Sequence, residues 1–272
     1  MTRLLRLDAE LVRRGLARSR EQAGALVDAG RVSVHGRPAT KPATQVELGA
    51  PVVVAEDLDE PGYASRGGHK LAGALDALAA AGLGVEGRRC LDAGASTGGF
   101  TDVLLRRGAA EVVAVDVGYG QLAWTLRNDP RVRVHDRTNV RGLEPASVGG
   151  PVDLVVADLS FISLRLVVDA LARCAPGTGA DLLLMVKPQF EVGRERLGAG
   201  GVVRDPALRA EAVRAVAASA ARIGLGVAGV VASPLPGPSG NVEYFLWLRR
   251  DVAPDADAVE RAVAGAVAQG PR

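Results

Sequence analysis

Lysine is scarce in this sequence. Of 33 basic residues among 272, only Lys41, Lys70 and Lys187 are lysine, and there are only three Asn and two Ile. That profile reads as a coding bias that replaces Lys with Arg wherever Arg will serve. The remaining lysines are therefore candidates for work that Arg does not do. Cysteine is rare too. Cys90 and Cys174 stand in no metal or redox spacing, which suits a reducing cytoplasm. Three histidines without an HExxH pattern argue against a built-in zinc site, so no metal is expected. No run approaches the roughly 18 uninterrupted apolar residues that a membrane span needs, so no membrane partner is expected. The opening residues carry charge throughout and lack the apolar core of a secretory signal. What is present is a globular composition, 48% hydrophobic and 24% charged, which excludes disorder over the whole length.

The net charge of +2 hides an uneven distribution. Residues 1–55 hold eight Arg and one Lys against five acids. Leu7, Leu11 and Val12 form the apolar stripe of one short helix. Ser19 caps a second helix over 20–29, with Ala23, Leu26 and Val27 inward. A strand and turn over 31–36 and further strand over 46–54 complete a small α+β module. Asp57 to Gly62, acidic and then Pro-Gly, reads as a linker. Ser65 is placed to cap a long helix over 67–81. From there strands alternate with helices, at 89–92, 111–116, 132–136, 154–158, 181–187, 227–232 and 242–248. The fold class is therefore α/β, a largely parallel seven-stranded sheet covered on both faces. The short connection between the last two strands implies one antiparallel hairpin at an edge.

The first of these strands runs into Asp92-Ala93-Gly94-Ala95-Ser96-Thr97-Gly98-Gly99-Phe100. That is where a doubly wound sheet binds a nucleotide. Ser96 occupies the position of the second Gly of a dinucleotide fingerprint, which disfavours a nicotinamide cofactor. An acid just before the loop suits a ligand without phosphate and with a positive charge, namely S-adenosylmethionine. In this reading Asp92 receives its amino-acid end, Asp116 its ribose hydroxyls and Asp136 its adenine amino group. Tyr119 shapes the adenosine pocket or is a core aromatic. The bland alternative is that the acids only solvate strand ends.

The fourth strand ends Asp158-Leu159-Ser160-Phe161, without the Pro-Pro that amine-methylating enzymes place there. The fifth closes an apolar run at Lys187, and Glu243 opens the seventh. Lys70 precedes the first strand. These four converge on one rim. A lysine at a buried strand end with a second cation nearby gives up its proton more readily, so it can serve as general base toward a hydroxyl. Arg cannot, because it stays protonated. Asp158 and Lys70 would orient that hydroxyl, and Glu243 would orient the lysines. The alternative is an ordinary rim salt bridge between Lys187 and Glu243. Cys174, amid apolar helix residues, reads as core and not as a nucleophile. Arg6, Arg14, Arg18, Arg20, Lys41 and Arg66 suit phosphate contacts that recognise a folded RNA by shape, though each alone also reads as a solvated helix face.

On these residues the chain resembles the TlyA family of ribosomal RNA 2′-O-methyltransferases. The most specific stretches are Ser65 to Leu71, Leu91 to Phe100, Val155 to Ile162, Val186 to Glu191 and Ser233 to Tyr244. The resemblance implies an alpha-L RNA-binding domain over 1–60, a linker over 61–66 and an FtsJ-like methyltransferase domain over 67–272. It implies a catalytic Lys-Asp-Lys-Glu tetrad at Lys70, Asp158, Lys187 and Glu243. It also implies a cytidine 2′-hydroxyl of 23S ribosomal RNA as substrate, within ribosomal subunits and with no obligate protein partner. The chain begins and ends like the family's longer members, which extends the expectation to 16S RNA. A ribosome-binding factor without activity would have lost the tetrad or the glycine loop. A membrane-lysing toxin, a label the family has carried, would need an apolar span, a secretion signal or a basic amphipathic helix.

Overall fold

The computed structural model describes residues 4–17, 19–54 and 62–270. Arg18 and most of the expected linker lie outside them. Two units are resolved, Met1–Gly62 and Tyr63–Arg272. The smaller runs β1 (Leu4–Arg6), α1 (Leu7–Arg13), α2 (Arg20–Asp28), β2 (Val32–Val34), β3 (Arg37–Pro38), β4 (Gln45–Glu47) and β5 (Val52–Val54). Leu7, Leu11, Ala23, Val27, Val32 and Val46 share its core. The Ser19 hydroxyl accepts from the Gln22 N–H at 3.1 Å, the cap expected for α2. β1 pairs antiparallel with β4, and β2 with β3 and β5. The single strand expected over 46–54 is two, divided at Gly49, whose φ of +101° turns the chain. β1 went unread because three residues give no periodicity.

The larger unit contains α3 (Arg66–Ala79), β6 (Arg89–Ala93), α4 (Gly99–Arg106), β7 (Glu111–Val115), α5 (Trp124–Arg127), β8 (Val132–His135) and β9 (Leu154–Ala157). It continues with α6 (Val168–Cys174), β10 (Asp181–Val186), α7 (Pro206–Ala221), β11 (Gly226–Ala232), β12 (Tyr244–Arg249) and α8 (Ala256–Gln269). The sheet order is β11-β12-β10-β9-β6-β7-β8. β12 runs antiparallel to both neighbours, so β11 and β12 form the edge hairpin. Every position of β9 and β10 is buried, as a strand covered on both faces requires. Alternate residues serve opposite layers. Leu91, Val113 and Leu182 pack with α6, α7 and α8, through Leu171, Val213 and Val263. Cys90, Val112 and Leu183 pack with α3, α4 and α5, through Leu75, Leu104 and Leu126.

Two expectations need correction here. Ser65 occupies the N-cap position of α3 but its side chain makes no cap hydrogen bond. Its hydroxyl instead lies against Gly67 and Gly99. Tyr63 to Ser65, expected within the linker over 61–66, belong to the larger unit. The Ala64 N–H donates to Asp102 Oδ2 at 2.8 Å, and the buried Tyr63 ring meets His69 edge-on at 5.0 Å. Among the described residues no helix is long and apolar enough to cross a membrane.

Candidate active site

Parallel strands present their C-terminal ends on one side of the sheet, and the loops leaving β6, β9 and β10 gather there. The loop from β6 into α4 is tightly packed. A Cβ on Gly94, where φ is +89°, would stand 2.5 Å from the Asp158 carbonyl oxygen. Gly98 meets the Leu126 and Leu122 side chains and has a φ of +99°, which a residue with a Cβ rarely adopts. Only glycine fits at either position. Ser96 also has a positive φ, +48°, and its N–H donates to Asp116 Oδ2 at 2.8 Å. Asp116 Oδ1 accepts from the Gly118 N–H at 2.6 Å. A cleft of about 320 Å³ opens above this loop. Gly94, Ala95, Ser96, Thr97, Gly99 and Phe100 form one wall. Arg66, Lys70, Asp158, Ser160, Lys187, Pro236 and Pro238 form the other.

Asp92 does not line this cleft. It is fully buried beneath the loop and accepts from the Thr101 hydroxyl at 2.7 Å. The expectation that it faces a ligand's amino group directly is therefore corrected: β6 carries it into the interior. Its Oδ1 has no partner, and burial pushes its carboxyl up to about 7. Asp136 is not free either. Arg127 reaches its Oδ2 at 2.9 Å and holds the carboxyl below the usual range, while the Gly120 N–H approaches at 3.3 Å. Tyr119 is no core aromatic. It is exposed, with the Arg137 guanidinium 4.4 Å from its ring centroid. Phe100 is buried, stacks on Phe245 at 6.0 Å, and only edges the cleft.

The four expected rim residues are brought together as two pairs. Lys70 Nζ donates to Glu243 Oε2 at 2.6 Å, and both side chains are buried. Lys187 Nζ lies 2.6 Å from Asp158 Oδ1 and donates to the Ser160 hydroxyl at 3.0 Å. Glu243 thus orients Lys70 alone, and the salt bridge between Lys187 and Glu243 weighed as an alternative is not formed. Gly237 passes so close that a Cβ there would lie 2.7 Å from Glu243 Oε1.

Three residues here were not singled out from the sequence. Ser160 holds Lys187. Phe161 is 92% exposed at a strained φ of +63° and tilts against Phe190 at 5.4 Å. Glu191 ties the loop after β9 to that after β10. The sequence signal for Phe161 is an apolar ring three residues after the strand-end acid Asp158, in a stretch otherwise marked by its missing prolines.

In the smaller unit the arginines are organised on two buried acids. Arg6 donates to Asp8 Oδ2 at 2.7 Å and Arg20 to both Asp8 oxygens at 3.2 Å. Arg13 and Arg14 both reach Glu10. Arg14 also donates to the Ala50 carbonyl at 2.7 Å, so it works largely inside the fold. Arg6, Arg20 and Lys41 are exposed, and so is Arg66 at the start of α3.

Residues 63–250 match the FtsJ-like methyltransferase model and residues 5–52 the S4 domain. Over the whole of both chains the sequence is 62% identical to the 16S/23S rRNA (cytidine-2′-O)-methyltransferase TlyA of Mycobacterium tuberculosis. The chain belongs to the TlyA family of FtsJ-like methyltransferases. A Campylobacter jejuni member, named 23S rRNA (cytidine-2′-O)-methyltransferase TlyA, is 33% identical over 68% of this chain and 70% of its own. A solved structure of a hemolysin-named protein from Streptococcus thermophilus aligns with a TM-score of 0.73 at 38% identity. That alignment covers 98% of this chain and 96% of the other. The two units of the TlyA-family chain therefore correspond to its two matched models.

Proposed function

We propose that this protein transfers a methyl group from S-adenosylmethionine to the ribose 2′-hydroxyl of cytidine in ribosomal RNA, in the large subunit and also in the small. The observation that carries the reading is the pair of lysine–carboxylate contacts on the rim of a glycine-lined cleft. The full-length similarity to the mycobacterial enzyme supports the choice of RNA and of both subunits. Such work on ribosomes belongs to the cytoplasm.

The cleft fits that cofactor. One wall is the glycine loop, which Asp116 holds from the end of β7 through the Ser96 N–H, and that wall has no basic side chain to meet a phosphate. An unpartnered buried carboxylate oxygen, Asp92 Oδ1, lies beneath the loop. Gly94 to Phe100 would hold the amino-acid end, with Asp92 acting from below. Asp116, Asp136 and Tyr119 would hold the nucleoside. When bound, the cofactor supplies a methyl group on a sulfonium, whose departure needs no acid.

The chain's own residues then have little left to do except position and deprotonate. In its neutral form the Lys187 amine takes the proton from the 2′-hydroxyl, whose oxygen takes the methyl group. Asp158 and Ser160 fix that amine, and Lys70, fixed by Glu243, orients the hydroxyl from the opposite side. Phe161, next in the chain to the cleft-lining Ser160, presents an exposed ring suited to stacking the target base outside its helix. The smaller unit, with Arg6, Arg20 and Lys41 outward, holds the folded RNA through its phosphates.

The test is transfer of labelled methyl into purified small and large subunits, followed by digestion to nucleosides. Label in 2′-O-methylcytidine from both is the expected result. Label in a base, or none in either subunit with cofactor bound, contradicts it.

A further inference from the structure

Glu191 joins the two loops that carry Asp158 and Lys187. Its Oε2 accepts from the Ser163 hydroxyl at 2.5 Å and its Oε1 from the Leu164 backbone N–H at 2.7 Å. Ser163 and Leu164 close the loop that leaves β9 through Asp158. Glu191 closes the turn that leaves β10 through Lys187, where the Phe190 N–H returns to the Lys187 carbonyl at 2.9 Å. The same two loops touch through Lys187 and Asp158, through Lys187 and Ser160, and through Phe161 and Phe190. Glu191 is half-buried, so its carboxylate is partly stripped of water, and both its oxygens have hydrogen bonds.

Phe161 makes the tie necessary. Its backbone sits in the left-handed region and its ring is almost wholly exposed, so its own burial does not hold the loop. A strained residue persists only where its surroundings over-determine it. Leu164, buried and fixed through its N–H, is one anchor. The Ser160–Lys187 hydrogen bond is the other.

We propose that Glu191 is a positioning residue for methyl transfer, holding the segment from Ser160 to Leu164 in register with Lys187. It touches no reacting atom. The proposal rests on the functional reading above and goes beyond it in adding a residue outside the tetrad.

Glutamine separates position from charge. In Glu191→Gln the side-chain oxygen still accepts from Leu164, and the new amide nitrogen donates to the Ser163 oxygen. Glu191→Ala removes both contacts. For Glu191→Ala the proposal expects kcat to fall by about 100-fold, the size of a small misplacement, with cofactor affinity unchanged. Backbone amides from 160 to 166 should exchange hydrogen about tenfold faster, with the rest of the sheet unaffected. Glu191→Gln should restore both to near wild type. Ser163→Ala, which keeps the Leu164 contact, should fall between. If Glu191→Ala does not fold, Ser163→Ala carries the test on the same two readouts.

Wild-type kcat and wild-type exchange in Glu191→Ala, or in Ser163→Ala where that variant stands in, overturn the proposal. So does a Glu191→Gln variant as slow as Glu191→Ala with its loop still protected, because charge and not position would then be the requirement. Wild-type protein that transfers no methyl to ribosomal RNA would instead defeat the functional reading. The exchange measurement still decides whether Glu191 holds the loop.

Discussion

The ammonium of Lys70, on the helix before the first strand of the sheet, is bound at 2.6 Å by the carboxylate of Glu243, 173 positions later. Both side chains are shielded from water, so each depends on the other. Removing one partner of a buried pair leaves an unmatched charge, at a cost of about 3–5 kcal/mol. Glu243→Ala should therefore lower both stability and activity. Replacing both by neutral residues of similar size should restore much of the stability but not the activity. Denaturant unfolding beside methyl transfer checks this. Recovery of turnover in the double variant would show that the pair serves the fold alone.

Phe161 offers a different balance. Its exposed ring contributes little to folding, whereas stacking on a base is worth about 1–3 kcal/mol. Phe161→Ala should leave the melting temperature almost unchanged and cut kcat/KM for ribosomal RNA by about 10- to 100-fold, corresponding to that stacking energy. Phe161→Tyr should retain most of it. Equal kcat/KM for wild type and the alanine variant would remove the ring from substrate recognition.

How far the site could be read from the sequence follows the same division. The convergence of Lys70, Asp158, Lys187 and Glu243 was legible because strand ends can be counted and a parallel sheet presents them on one side. Which lysine meets which carboxylate was not, since that depends on β12 inserting between β10 and β11, a choice no local pattern records. Asp92 was misread for a related reason. Its place before the glycine loop is plain, but whether a side chain near a strand's end faces cleft or core depends on the register of neighbouring strands. The seven strands stood out through their apolar runs. In the smaller unit β2 is legible within 31–36 and β4 and β5 only as one strand over 46–54, while β1 and the two-residue β3 give no pattern at all.

Asp92 also predicts a pH dependence. Burial raises its carboxyl to about 7, above its ordinary value of 3.8. The folded chain thus binds this proton more tightly than the unfolded one. The group's contribution to stability is present below about pH 4 and is lost as pH rises toward 7. Asp92→Asn keeps an acceptor for Thr101 and cannot ionise. Denaturation of both proteins from pH 4 to 8, without cofactor, should show the variant gaining on wild type as pH rises. A constant difference would contradict this.

The two arginines nearest each other in role should behave unlike each other. Arg20 is largely exposed and Arg14 mostly covered, with side-chain exposures of 57% and 21%. Arg20→Ala should weaken RNA binding and reduce its salt slope by about 1, leaving the fold intact. Arg14→Ala should instead destabilise the smaller unit, because Glu10 and the Ala50 carbonyl lose a donor. Binding titrations across salt, with melting curves, distinguish them. A stable Arg14→Ala variant with impaired binding would reverse the assignment.

The Lys187 amine removes the hydroxyl proton in this mechanism, and Lys187→Arg isolates that step. Arginine keeps the charge but does not release its proton. Single-turnover methyl transfer to intact ribosomal subunits, with cofactor and subunits saturating, should fall by about 10²- to 10⁴-fold, the usual share of a general base. Subunit and cofactor affinity should be unchanged. A rate equal to wild type would show that charge at this position is sufficient and that the proton leaves by another route.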